Sequence, residues 1–283
     1  MIGKRFIIAT QAETMRIYCC QLDIVWENKN ENFERVSALL NKRRLSPGSL
    51  VVLPEMFATG FTMNAGSIAE RDNGPTNAFL RRVAREKGVF VLGGIVRSSS
   101  RGRVLNEAVC IAPSGRRVAC YAKLHLFNPG GESRHYAPGE AVAVFRWGKF
   151  KVAVSICYDL RFPEISRMAV QRGANVLVVI ANWPRKKHSH WTTLLRARAI
   201  ENQAYAVGVN RCGNDPQHDY QGGSLVVDPW GKTVAEAGQE ETLLSAEVSW
   251  AAMNQMRLDF RVLRDVRTRF VLKKARRQPA LPR

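Results

Sequence analysis

The sequence predicts one α/β domain built on mixed β-sheets. Segments rich in Val and Ile alternate with charged, amphipathic segments along the chain, a pattern typical of strands that alternate with helices. Long apolar runs such as NVLVVIAN at 175–182 lack polar alternation, as expected of central strands covered on both faces. No low-complexity linker divides the 283 residues, so a single domain is expected.

The elements of the first half follow from periodicity and turn residues. The charged stretch after the first strand has helical periodicity, and a second helix is expected to begin at Thr76 as its N-cap and to stop at Gly88. The turn at 113–115, Pro-Ser-Gly, indicates an antiparallel hairpin. In order, we expect strand 15–24, helix 28–44, strand 49–53, helix 76–87, strand 89–96, and the hairpin strands 104–112 and 117–123.

The second half repeats the alternation after a loop. The sequences PGG at 129–131 and PG at 138–139 predict that 128–139 is a loop. We then expect strands 141–145 and 151–156, helix 163–172, strand 176–180, helix 189–202, and strands 205–210, 223–227 and 243–247.

Three of these strands end in residues with reactive side chains. LVVLPE ends at Glu55, RVACYAK ends at Lys123, and KVAVSIC ends at Cys157. In α/β folds ligands gather beyond the carboxyl ends of strands, so the three side chains are candidates for one site. Taken singly, each has an ordinary alternative: a loop ion pair, a solvated surface charge, and a cysteine packed in the core.

The segments around these residues resemble a known family. VLPEMFATGF at 52–61, YAKLHLF at 121–127 and SICYDLRFPE at 155–164 resemble, in order and at compatible spacing, the three active-site signatures of the nitrilase superfamily of carbon–nitrogen hydrolases. Further matches are GES at 131–133, ANWP at 181–184, RARAIENQAYAVGVNR at 196–211 and GGSLVVDPWG at 222–231. The resemblance extends from residue 15 to about residue 265 and is nearest to the Nit2-type ω-amidase branch.

The resemblance implies a four-layer α-β-β-α sandwich, no cofactor, no metal, and a homodimer or larger homo-oligomer. It also implies an amidase that hydrolyses a small-molecule amide, most simply the terminal amide of a dicarboxylic acid monoamide, to a carboxylate and ammonia. Carbamoylase and nitrilase chemistry use the same residues and stay open as alternatives. We expect a hydrolase domain over 15–265, an N-terminal extension over 1–14 and a basic tail over 266–283.

Amide hydrolysis needs an activated nucleophile, an acid that protonates the leaving nitrogen and a site that stabilises the negatively charged oxygen of the tetrahedral intermediate. Cys157 is the expected nucleophile, with Lys123 lowering its pKa and Glu55 taking its proton. The oxyanion is expected to bind the Lys123 ammonium and, by resemblance, the backbone N–H of Tyr158. The resemblance also implies that Glu132 orients the lysine; its alternative is a solvated loop carboxylate.

Four further residues are candidates for substrate binding. Trp183 and Tyr158 are expected to line the pocket, although either could simply pack in the interior. Arg161 and Arg211 are candidates to hold a substrate carboxylate, with a structural ion pair as the alternative for Arg161.

The rival hypotheses are a papain-like Cys-His enzyme, a metal hydrolase and a catalytically idle basic binding protein. None of the five histidines lies in a signature suited to the first, and HSH at 188–190 is not metalloprotease spacing. A net charge of +19 suggests the hypothesis that the protein binds nucleic acid. No aromatic–basic stripe or zinc finger accompanies the charge, so we do not expect a nucleic-acid partner. The absence of C-x-x-C pairs and of a long apolar span favours a cytoplasmic protein that does not enter a membrane.

Overall fold

The computed structural model describes residues 14–99 and 102–267. These residues form two six-stranded sheets, a short two-stranded hairpin and six α-helices. The predicted N-terminal extension and basic C-terminal tail lie almost wholly outside the described residues. Within the described ranges, no helix has the length and apolar character needed to cross a bilayer.

The first sheet has a parallel centre and antiparallel edges. Its order is β14-β1-β2-β3-β4-β5, with β1, β2 and β3 parallel and β14, β4 and β5 joined by antiparallel pairing. The strands are β1 Thr14–Gln21, β2 Leu50–Val52, β3 Phe90–Ser98, β4 Val104–Ile111, β5 Arg117–Ala122 and β14 Thr242–Ser249.

The second sheet repeats this arrangement. Its order is β13-β12-β9-β8-β7-β6, with β7, β8 and β9 parallel and the other pairs antiparallel. The strands are β6 Ala143–Trp147, β7 Phe150–Ile156, β8 Val176–Ala181, β9 Tyr205–Asn210, β12 Leu225–Val227 and β13 Thr233–Glu236; the separate hairpin is β10 Cys212–Asn214 and β11 Asp219–Gln221.

Four of the six α-helices cover the outer faces of the two sheets. The six are α1 Lys29–Asn41, α2 Ala65–Ile68, α3 Pro75–Lys87, α4 Pro163–Gln171, α5 His188–Asn202 and α6 Trp250–Asp259. Apolar residues of α1 and α3 pack on the first sheet, and those of α4 and α5 pack on the second. A separate core joins the inner faces of both sheets. These layers are the predicted four-layer α-β-β-α sandwich, which is confirmed.

Strand β1 illustrates why the apolar runs lack polar alternation. Because successive side chains point to opposite faces, Ile17 and Cys19 enter the core between the sheets, while Tyr18 and Cys20 pack under the helices. All four side chains are at most 2% exposed. A strand covered on both faces needs apolar residues at every position, as the sequence pattern predicted.

The start of α3 was predicted wrongly. Pro75 occupies the first turn and Gly74 is the N-cap, so the helix begins before Thr76. The N–H and hydroxyl of Thr76 instead donate to the carboxylate of Glu70, at 2.8 and 2.6 Å. The predicted stop at Gly88 is confirmed, since this residue adopts the left-handed conformation, φ 65°, that favours glycine after a helix.

The structure also contains elements that the sequence pattern did not predict: α2, β10, β11, β13 and α6. The segment 128–139 is irregular, as predicted, but includes two 3₁₀ turns, Asn128–Gly130 and Glu132–Arg134.

The topology brings two of the three strand ends to one side of the first sheet, and the third belongs to the facing sheet. Strands β2 and β3 are parallel, and two antiparallel steps through β4 make β5 parallel to them. The segments that leave β2 and β5, which carry Glu55 and Lys123, therefore lie at the same edge of the first sheet. Cys157 follows β7, a central strand of the facing sheet.

Candidate active site

Cys157 lies at a sharp turn directly after β7. It begins the 3₁₀ turn Cys157–Arg161 with φ 47°, a left-handed conformation that is uncommon for a residue with a side chain. Strained backbone of this kind persists only where the surrounding structure holds it in place, and it is found most often at functional sites. The half-buried cysteine is thereby presented at the strand end rather than packed within the strand.

Asp159 holds this turn and ties it to the loop after β5. Its buried carboxylate accepts hydrogen bonds from the N–H of Ile156 at 3.0 Å, the hydroxyl of Tyr121 at 2.6 Å and the N–H of His125 at 2.9 Å. Burial and the Asp159 charge raise the pKa of the Tyr121 phenol well above its ordinary value. The two motifs that carry Lys123 and Cys157 are therefore fixed relative to one another.

Glu55 lies beneath Cys157 and is fully buried. Its Oε1 accepts from Lys123 Nζ at 2.8 Å, and its Oε2 accepts from the backbone N–H of Asn182 at 2.9 Å. The side-chain amide of Asn182 donates to the Glu55 backbone carbonyl at 2.7 Å. Gly94 makes this packing possible, because a Cβ there would come within 2.6 Å of the Glu55 Cα.

Lys123 lies between two glutamates. Its Nζ is 2.8 Å from Oε1 of Glu55 and 2.9 Å from Oε2 of Glu132, and all three side chains are 0% exposed. Glu132 also accepts the N–H of Phe127 at 2.6 Å, which anchors the loop after β5. Glu132 is therefore a buried partner of the lysine rather than a solvated loop carboxylate.

The charges of this cluster control its protonation. Burial alone would lower the pKa of Lys123, but the charges of Glu55 and Glu132 outweigh burial and raise that pKa, so the lysine is an ammonium. Burial alone would raise the pKa of Glu55, but the charge and hydrogen bond of Lys123 outweigh burial and lower it. The resting cluster thus combines an ammonium with an ionised Glu55.

The protonation of Cys157 differs from the sequence-based prediction. We expected Lys123 to lower the pKa of the thiol. Instead burial, followed by the negative charge of Glu55, raises the pKa of Cys157 well above its ordinary value, and Lys123 only partly opposes them. The motifs placed both carboxylates with the lysine, but the sequence did not reveal that burial and the Glu55 charge outweigh the effect of Lys123 on the thiol. The resting cysteine is therefore a neutral thiol that needs a base.

A cleft of about 420 Å³, open mouth included, lies above the cluster. Cys157 and Asn182 lie at its base, and its walls are largely aromatic, with Phe61, Phe127, Tyr158 and Trp183. Arg161 and Lys187 line the same cleft. The cleft thus combines a reactive thiol, apolar walls and two cations.

The two cations contact rings. The Arg161 guanidinium lies 4.7 Å from the centroid of the Trp183 ring, and Lys187 Nζ lies 5.0 Å from the centroid of Phe127. Arg161 is also 3.3 Å from Nδ1 of His190. Cations held against aromatic faces at a cleft are suited to receive an anionic group of a ligand.

The predicted substrate-binding residues fall into two groups. Tyr158, Trp183 and Arg161 all line the cleft with Cys157, and their roles in binding stay predictions. Arg211 does not line it: the side chain is 0% exposed, and its guanidinium donates to the carbonyls of Cys212, Ile24 and Asn214. It links the backbone of Ile24 to that of Cys212 and Asn214, so the expectation that it holds a substrate carboxylate is wrong.

The geometry of His125 does not favour the Cys-His alternative. Its Nδ1 lies 3.1 Å from Asp159, and its ring stacks on Phe162 with centroids 3.7 Å apart. The Cys157 thiol instead donates to the backbone carbonyl of Asn182 at 3.8 Å, and the neighbouring charge that most raises its pKa is that of Glu55. Over the described ranges, no three His, Cys, Asp or Glu side chains are grouped as metal ligands.

Several residues of the site were not predicted, among them two asparagines and a lysine. Asn106 and Asn182 hydrogen-bond to Glu55, and Lys187 lies in the cleft. A signal existed for Asn106, because an amide inside the apolar strand VLNEAVCI requires a buried partner. Lys187 lies in the basic stretch RKKHSH, where its neighbours Arg185 and Lys186 are exposed, so composition alone did not single it out.

Comparison with known proteins agrees with the fold and assigns the chain to a family. A model of the carbon–nitrogen hydrolase family matches residues 16–258. The chain is 33% identical over 252 residues to the 2-oxoglutaramate amidase of Bacillus subtilis (strain 168), covering 89% of this chain and 97% of that protein. It is 35% identical over 254 residues to the omega-amidase YafV of Yersinia enterocolitica, covering 89% and 96%.

A solved structure is similar over the same extent. The crystal structure of a CN-hydrolase superfamily protein from Xanthomonas campestris, which has an arsenic adduct in its active site, superposes with a TM-score of 0.85 at 34% identity. The match covers 89% of this chain and 97% of that one. The protein is thus an α-β-β-α hydrolase of the nitrilase superfamily. It belongs to the carbon–nitrogen hydrolase family, and its relatives in that family include ω-amidases.

Proposed function

We propose that the protein is an ω-amidase, which hydrolyses the terminal amide of a small dicarboxylic acid monoamide. The observation that carries this proposal is the pair of cations, Arg161 and Lys187, in an aromatic cleft that opens over Cys157. A substrate carboxylate would bind these cations, while the amide at its other end would reach the thiol. The relatives named 2-oxoglutaramate amidase and omega-amidase support the same assignment.

In the first half-reaction, Cys157 Sγ attacks the amide carbonyl carbon while Glu55 takes the thiol proton. The lowered pKa of Glu55 supports this role, because the carboxylate is ionised when the substrate arrives. The carbonyl electron pair moves to oxygen and forms a tetrahedral oxyanion. Glu55 then gives its proton to the amide nitrogen, the C–N bond breaks, and ammonia leaves a thioester on Cys157.

The oxyanion would be stabilised by Lys123 and by the backbone N–H of Tyr158. An ammonium has three N–H groups; one can serve Glu55 at 2.8 Å and one can be shared by the two oxygens of Glu132 at 2.9 and 3.2 Å, which leaves the third for the oxyanion. Tyr158 is the second residue of the 3₁₀ turn, where backbone N–H groups have no partner within the turn. In the second half-reaction, Glu55 takes a proton from water, whose oxygen attacks the thioester carbon. The S–C bond then breaks, the acid leaves, and Glu55 returns the proton to the Cys157 sulfur.

A substrate panel tests this assignment. We expect ammonia release from 2-oxosuccinamate with a kcat/KM at least about tenfold above that of a neutral amide of equal length, since a charged hydrogen bond contributes about 1.5–3 kcal/mol. Lys187→Met should remove much of this preference. The matched control is Lys186→Met, which changes an exposed neighbour in the same 3₁₀ turn and should leave the preference intact.

Other outcomes of the same panel would identify the alternatives. Release of ammonia together with carbon dioxide from carbamoyl compounds would indicate a carbamoylase, and turnover of nitriles alone would indicate a nitrilase. A wild-type protein that hydrolyses no member of the panel but binds DNA with a steep salt dependence would contradict the enzymatic assignment.

We also propose that the protein is a homodimer or larger homo-oligomer, and that its hydrolase domain spans 15–265. A patch of exposed apolar residues supports the first proposal: Ile200, Trp230, Leu258 and Phe260 are each 47–55% exposed. The rings of Trp230 and Phe260 are stacked, with centroids 6.5 Å apart. An exposed apolar patch of this kind is typical of an interface between protein chains.

Changing this patch should change the mass of the assembly. We expect Phe260→Arg to shift the mass in light scattering at micromolar concentration toward the 31.8 kDa of one chain, because a buried unpaired charge is costly at an interface. Glu34→Arg, an exposed position on the opposite outer layer, serves as the control. A monomeric wild-type protein at that concentration would contradict the proposal.

A further inference from the structure

Asn106 lies between the two glutamates of the site. It is in strand β4, is 0% exposed, and its Nδ2 is 2.7 Å from Oε1 of Glu55 and 2.8 Å from Oε1 of Glu132. Its backbone carbonyl accepts the N–H of Lys123 at 2.9 Å. One residue therefore contacts both carboxylates and the lysine that they share.

The contacts of the Asn106 amide fix its orientation. A primary amide has two N–H groups, and both are used on the carboxylates. The amide oxygen has no hydrogen-bond partner among the described residues, although it is buried. A rotated amide would aim this oxygen at two negative oxygens, so only the observed orientation is favourable. A buried polar atom without a partner is costly, and its presence here indicates that the two N–H contacts outweigh it.

These contacts make the two oxygens of Glu55 different. Oε1 accepts from Lys123 at 2.8 Å and from Asn106 at 2.7 Å, so both of its lone pairs are occupied. Oε2 accepts the Asn182 N–H at 2.9 Å, but its contact with the Asn182 side-chain amide is long, at 3.3 Å. Cys157 Sγ lies 3.8 Å from the carbonyl oxygen of the same Asn182. Oε2 is thus the oxygen with a position that a proton can take.

We propose that Asn106 is a positioning residue, which pins Oε1 of Glu55 and Oε1 of Glu132 and so leaves Oε2 of Glu55 to take the Cys157 proton. The inference rests on the proposed function. In the step, the S–H bond breaks, its electron pair forms the S–C bond, and a new O–H bond forms at Oε2. The Asn182 side chain releases its long contact and keeps its 2.7 Å bond to the Glu55 carbonyl.

The electrostatic consequences depend on the groups that face Glu55. These are the ammonium of Lys123, the carboxylate of Glu132, the thiol of Cys157 and the phenol of Tyr136. Without the Asn106 amide, Glu55 loses a donor and faces Glu132 with less compensation. Both changes favour the protonated carboxyl, so the base would ionise at a higher pH.

The test compares two isosteric variants, Asn106→Leu and Asn106→Asp. For Asn106→Leu we expect kcat on 2-oxosuccinamate to fall about ten- to hundredfold with KM changed little, because a buried acceptor loses its donor. The acidic limb of the kcat/KM profile should move up by about one pH unit. Asn106→Asp adds a negative charge and should move the limb further. Asn77→Leu, a buried asparagine on α3, is the control.

The second readout is the pH dependence of Cys157 alkylation by iodoacetamide, which needs no amide substrate. In Asn106→Leu the acidic limb of the alkylation rate against pH should move up as the limb of the kcat/KM profile does. This readout therefore tests the role of Asn106 even if the proposed substrate is wrong. An Asn106→Leu protein with a wild-type kcat and an unmoved limb would overturn the inference, as would equal shifts in Asn77→Leu. If Asn106→Leu does not fold, the test rests on the acidic limb of the pH profile of Asn106→Asp. If that limb lies at the wild-type pH, the inference is overturned.

Discussion

Replacing Cys157 with alanine is expected to reduce amide hydrolysis by about 10⁴-fold or more, the loss typical of removing a covalent nucleophile. The cleft, the ammonium of Lys123 and the carboxylate of Glu55 would all stay, so substrate binding should persist. The measurement is ammonia release under saturating 2-oxosuccinamate. Mass spectrometry of quenched wild-type enzyme should also detect the acyl group on Cys157, and the variant should show none.

Cys120→Ala is the matched control for this prediction. Cys120 lies on β5 and is exposed, whereas Cys157 is half-buried at the base of the cleft. Activity should be retained in Cys120→Ala. Retention of activity in Cys157→Ala, or a thioester on another cysteine, would contradict the assignment of the nucleophile.

The fold could be predicted from the sequence because its main signals are local. Apolar runs without alternation, such as VLVVIA in β8, follow from burial on both faces, and β8 is indeed buried at every position. The failures have physical causes. Short strands such as β10 and β11 carry too few residues to show a period, and their hairpin is anchored by contacts distant in sequence, such as the bond from the Cys212 N–H to the Leu22 carbonyl at 2.8 Å.

The candidate site was predicted only where motifs mark it. Glu55, Lys123, Glu132 and Cys157 were all found from the motifs, and the structure brings them together. The direction in which the pKa of Cys157 shifts was not predicted correctly. The pKa of Cys157 depends first on burial of the thiol and then on its distances to two carboxylates and one ammonium, and both require coordinates. Asn106 was missed because its partners are 51 and 26 residues away in the chain.

Replacing Lys123 with methionine should damage both activity and stability. The variant would lose an oxyanion donor, so kcat should fall by at least about 10²–10³-fold. It would also leave Glu55 and Glu132 buried without a cation, and breaking a buried ion pair costs about 3–5 kcal/mol of unfolding free energy. Ammonia release and urea unfolding at pH 7 measure the two effects.

The stability loss should depend on pH in a defined direction. In the wild-type protein the pKa of Glu55 is lowered, so its stabilising contribution is present at neutral pH and is lost as the pH falls through that value. In Lys123→Met the buried carboxyls should have raised pKa values, so the folded state gains stability as the pH falls. The difference between the two proteins should therefore be largest near pH 7 and shrink toward pH 5.

A double variant separates charge from packing as the cause. Lys123→Met with Glu132→Gln removes one of the two stranded carboxylates, so much of the stability at pH 7 should return while activity does not. The Phe127 N–H would keep an acceptor, since glutamine retains a side-chain oxygen. If the double variant is as unstable as Lys123→Met at pH 7, lost packing rather than uncompensated charge is the cause, and the buried ammonium is not what holds the two glutamates together.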